Sequence, residues 1–137
     1  MTPDNQRRRA QLKLWWIIWA ALIVGLCAIW WIFGFLKLQG NGPHANTLID
    51  VVGMVPLFLS IVLRWLVIPR VTEMRQGFVL FVTGLALAEA CGLLGIFLGG
   101  PYRDQLFLLG VLGIAQFMPF FARQYIEPRS EGFIPNN

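Results

Sequence analysis

At 137 residues, with 57% hydrophobic, 14% aromatic and only 13% charged side chains, the chain has too little polar material to cover a water-soluble fold of its size. Its formal charge of +4 does not make it a nucleic-acid binder, because the basic residues stand at the ends of apolar runs and not together on one face. The composition predicts an all-α, polytopic membrane protein whose first partner is the lipid bilayer.

Residues 1–13 are polar and carry Arg7, Arg8, Arg9 and Lys13 ahead of an apolar run over 14–36. A signal peptide shares this charge order, but its apolar stretch runs only about 7 to 15 residues and ends at a small-residue cleavage site. The three arginines echo a twin-arginine signal, yet so long a run is not normally cleaved and released. It is expected to stay as the first span. A polar turn over 37–47, holding Gly40, Gly42, Pro43 and His44, leads to a second span over 48–68. Pro56, near its middle, removes one backbone hydrogen bond and clashes with the carbonyl four residues back, so a hinge is expected there.

A basic loop follows, and the third span covers 77–99. Gly99, Gly100 and Pro101 end that helix and turn the chain. The fourth run, 105–121, is the shortest, near the lower limit for a segment that needs about 20 apolar residues to cross. A polar tail over 122–137 completes the chain.

Positive residues are retained on the cytoplasmic side of membranes. With four spans, Arg7, Arg8, Arg9, Lys13, Arg64, Arg70, Arg75, Arg123 and Arg129 fall on one side and only Lys37 and Arg103 on the other. This asymmetry predicts both termini in the cytoplasm and a multi-pass protein of the cell inner membrane. Trp15, Trp16 and Trp19 at one end of the first span, and Trp30 and Trp31 at the other, suit interfacial anchoring.

Enzyme signatures are missing. The single histidine, His44, falls in an outer loop, and neither Cys27 nor Cys91 has a neighbour at metal-ligand spacing. Both cysteines read as small apolar fillers. Ser60 has no base at helical spacing to activate it. No enzyme activity, metal or cofactor is expected.

Glu89 stands apart as the acidic residue within the core of a span. An ionised carboxylate at the bilayer centre costs about 3 kcal/mol or more, so such groups are kept neutral or paired and face protein or a water cavity. That makes Glu89 a candidate proton or ion site. Gly84, Ala88, Gly92, Gly95 and Gly99 recur at steps of three or four, a small-residue stripe on which another helix can approach closely. Glu89 sits on its shoulder. Counted from the cytoplasmic ends, Ser60 lies at a comparable depth and is the expected hydrogen-bond partner, whereas Arg64 is expected to snorkel toward the headgroups.

The stretch Gly84-Leu85-Ala86-Leu87-Ala88-Glu89-Ala90, followed by Leu93, Leu94 and Gly95, resembles the carboxylate helix of the proteolipid c subunit of rotary ATP synthases. In that family the helix carries the proton- or sodium-binding carboxylate after a polar loop with an Arg and a Pro, to which Pro69, Arg70 and Glu73 are loosely similar. The resemblance covers about a quarter of the chain and implies an ion-binding role for Glu89. The second span, with Gly53 and Pro56, departs from the repeated Gly-x-Gly pattern of the family's other helix.

Two readings follow. One is a non-enzymatic membrane subunit or scaffold that packs through the small-residue face of the third helix against other membrane helices, in a homo-oligomer or a larger complex. The other is an ion-handling protein in which Glu89 exchanges a proton.

Overall fold

The computed structural model describes residues 3–35, 47–98 and 102–120. Its described residues are almost all helical and hold no strand. Four α-helices follow in chain order: α1 (Pro3–Phe35), α2 (Thr47–Val62), α3 (Met74–Leu98) and α4 (Arg103–Ala115). His44, Gly99, Gly100 and Pro101, most of the first turn and the tail over 122–137 lie outside the described residues.

Three helical stretches are long and apolar enough to cross a membrane, Ala10–Phe33, Val51–Arg70 and Met74–Leu98. The first belongs to a longer helix. At 33 residues, α1 measures about 50 Å at helical rise, well beyond the roughly 30 Å of a hydrocarbon core. The polar N-terminal segment is helical from Pro3 on and continuous with the apolar stretch. At the other extreme α4 has 13 residues, about 20 Å.

α2 runs unbroken through Pro56. The departure from α geometry comes later, in a π-helical turn over Leu63–Val67 and a 3₁₀ turn over Ile68–Arg70. Pro69, which lacks an N–H and crowds the preceding turn, stands where the α-helical ladder stops. α3 begins at Met74, three residues ahead of the apolar run, because the backbone N–H of Gly77 already bonds the Glu73 carbonyl at 3.0 Å.

α3 is the central post of the bundle. Gly77, Phe81, Gly84, Leu85, Ala88, Cys91, Gly92, Gly95 and Ile96 are all buried on it, while α1 and α2 leave most of their apolar side chains open, Ile17, Val24, Val52 and Phe58 among them. That outward apolar surface fits a membrane protein. The core joins Trp15 and Leu26 of α1 to Phe81, Leu85 and Ala88 of α3, and to Ile114 and Phe117 at the end of α4. Trp15 stacks on Phe81 with ring centroids 4.7 Å apart.

Candidate functional site

The small-residue stripe of α3 lies buried against the chain's own helices. A Cβ placed on Gly110 of α4 would sit 2.6 Å from both the Cα and the N of Gly92, so the two backbones touch with no side chain between them. One turn along, a Cβ on Gly113 would lie 3.0 Å from that of Ala88. On Gly95 it would meet the Cβ of Leu106 at 2.5 Å, on Gly92 the Leu26 side chain of α1 at 2.8 Å, and on Gly84 the ring of Phe117. Gly84, Ala88, Gly92 and Gly95 therefore form a seam shared by α1, α4 and the turn after α4. Gly99 lies outside the described residues. The Cys91 thiol, buried beside the seam, points its sulfur at the Leu106 carbonyl at 3.8 Å, whereas Cys27 is exposed on α1.

A second feature is polar. In a continuing helix, the Gln116 carbonyl would accept from residue 120, but the Phe120 N–H bonds Met118 instead, at 2.8 Å, and Pro119 has no N–H to give. Arg64 supplies the missing donor: its Nε donates to the Gln116 carbonyl at 2.9 Å. Trp19 Nε1 of α1 donates to the Ile114 carbonyl at 3.0 Å, and Trp65 Nε1 to the Gln116 side-chain oxygen at 3.3 Å. The cation also suits the negative end of the α4 dipole. Two elements thus converge on the end of α4, namely α1 and the π-helical turn of Leu63–Val67, which holds both Arg64 and Trp65. At the opposite end of α4, Trp30 Nε1 donates to the Asp104 carboxylate at 3.3 Å, and the Trp30 ring stacks on Phe107.

Ser60 is fully buried and donates to the Gly84 carbonyl at 2.9 Å, while the Gln116 side-chain nitrogen donates to its oxygen at 3.5 Å. The expected pairing with Glu89 is replaced by a bond to the α3 backbone, and helix geometry gives the reason. Gly84 and Glu89 are five residues apart, about 7 Å in height and about 140° round the helix, so a hydroxyl level with Gly84 faces away from Glu89. Arg64 does not pair with Glu89. Its guanidinium is engaged with the α4 end and lies 5.5 Å from the centre of the Trp65 ring.

Glu89 itself is half-buried. It shares a face with Leu85 and Ile96, both buried, and with Val82 and Leu93, which pack on the core. No hydrogen bond or ion pair joins it to another described residue. Among the described residues there is also no cluster of side chains able to hold a metal ion.

Sequence reasoning missed the polar junction, although a signal was present. Gln116 stands three residues before a proline at the end of the shortest apolar run, where a helix that stops inside the membrane leaves carbonyls needing donors, and Arg64 lies at a similar depth. No protein-family model matches the chain, and no curated protein or solved structure is similar to it.

Proposed function

We propose that the chain is a non-enzymatic, multi-pass subunit or scaffold of the cell inner membrane, organised around the small-residue face of α3. One observation carries this reading: every described small residue of that face is met by another part of the same chain. Lipid tails are as apolar as leucine, so helices in a membrane are held together by close packing and interhelical hydrogen bonds, both of which centre on α3. Four crossings with both termini in the cytoplasm complete the reading. Support for the fourth comes from residues 104–120, which run beside α1 from Trp30 to Trp16, a height of about 21 Å at helical rise. The orientation is supported by the asymmetry of Lys and Arg. Because that face is filled from within, contacts to other membrane helices fall to the outward apolar residues of α1 and α2, and purification in mild detergent is expected to retain an assembly larger than one chain. A lone monomer at every detergent concentration would contradict the scaffold.

The isolation of Glu89 on an otherwise apolar face favours a second reading, in which this carboxylate exchanges a proton. The local resemblance to the c subunit's carboxylate helix points the same way. A hydrophobic carbodiimide should then label Glu89, with labelling that fades as pH rises. Absence of labelling at every pH, with normal assembly of Glu89→Gln, would remove the residue on which that reading depends.

A further inference from the structure

Where α1 emerges on the basic side of the bundle, it leaves an open groove of about 400 Å³ against the start of α3, lined by Gln11, Leu14, Trp15, Met74, Arg75 and Phe78. Its floor is apolar and rigid: Trp15 is buried, with its ring 5.4 Å from that of Phe78 and 4.7 Å from that of Phe81. Its rim is polar, with the exposed Arg75 on α3 and Gln11 on α1. Lys13 and Arg70 stand exposed at the same end of the bundle, and α1 continues outward through Arg9, Arg8 and Arg7. The one acidic side chain in the adjoining groove, Glu73, makes no ion pair with Arg75 among the described residues.

An apolar floor at headgroup depth under a cationic rim is complementary to one kind of molecule, and we infer that this groove binds an anionic phospholipid. Leu14, Trp15, Met74 and Phe78 take the upper acyl chain. Arg75 and Gln11 take the phosphate, as basic pockets between membrane helices do. The other basic residues supply a field that concentrates anionic lipid around the site. The inference goes beyond the scaffold reading. It needs α1 and α3 to cross the membrane, but it holds with three crossings or four and leaves Glu89 uninvolved.

Native mass spectrometry of the full chain released from micelles doped with phosphatidylglycerol or phosphatidylcholine tests it. The anionic lipid should stay bound and the zwitterionic one should not. Arg75→Gln should weaken phosphatidylglycerol binding about fivefold, the worth of one basic residue at a membrane surface. Arg70→Gln, outside the groove, should change it less than about twofold on the same scale. Met74→Trp, which fills the groove without altering charge, should also displace the lipid. Equal losses in the two arginine variants, or unchanged binding in Met74→Trp, would overturn the inference in favour of a diffuse charge effect. Glycerol phosphate binding as tightly as the intact lipid would overturn it as well.

Discussion

The seam between α3 and α4 and the polar junction at the end of α4 hold the same helix by opposite means. Along the seam, Gly92 and Gly110 carry no side chain, and attraction comes from backbone surfaces brought into contact. At the junction the backbone runs out of its own partners, and Arg64 and Trp19 reach across from other helices to bond the carbonyls of Gln116 and Ile114. Where Gly110 meets Gly92 the seam tolerates no added volume. The junction tolerates volume but not the loss of a donor. This difference teaches that a short helix packed among apolar neighbours needs both devices, one for its length and one for its end.

Adding volume to the seam should have the largest effect. Gly110→Leu forces the two backbones apart and should cost about 3 kcal/mol or more in reversible unfolding from mixed micelles. A cost under about 1 kcal/mol would mean that the helices do not touch there. Next comes the junction, where Arg64→Met leaves the Gln116 carbonyl without its donor and should cost about 2 kcal/mol by the same measurement. Arg64→Lys should fall between the wild type and Arg64→Met, since it restores the charge but not the planar fork. Ser60→Ala removes one interhelical hydrogen bond and should cost only about 0.6 kcal/mol, the usual size of such bonds in membranes. Smallest of all, Glu89→Gln should change stability by less than about 0.5 kcal/mol, because no described partner is lost. A large cost there would assign Glu89 a structural bond, and would weigh against a free, exchanging carboxylate.

The stripe of Gly84, Ala88, Gly92 and Gly95 was legible in the sequence because helical spacing alone puts these residues on one face. What covers them was not, since Gly110 and Gly113 acquire meaning only when α4 is laid against α3. Glu89 could be picked out as a lone acidic group in an apolar run, but its pairing with Ser60 could not be judged by depth. Depth orders residues along the membrane normal and says nothing about angle round the helix. The π-helical turn at Leu63–Val67, just ahead of Pro69, is a further case, since no residue pattern marks a widened turn. The arginine that caps α4 lies within that turn.

The most direct test of the account is a disulfide across the seam in intact membranes. With Cys27→Ser and Cys91→Ala removing the native thiols, Ala88→Cys and Gly113→Cys together bring two Cβ positions to 3.0 Å, close to the roughly 3.5–4.5 Å that a disulfide requires. Mild oxidation should close the bond within one chain, giving a protein that runs as a monomer with both thiols shielded from a bulky maleimide. Glu89→Cys with Gly113→Cys should stay open. Failure of the first pair to close, or its closure only between chains as a dimer, would contradict the claim that α3 holds its own chain together through its small-residue face.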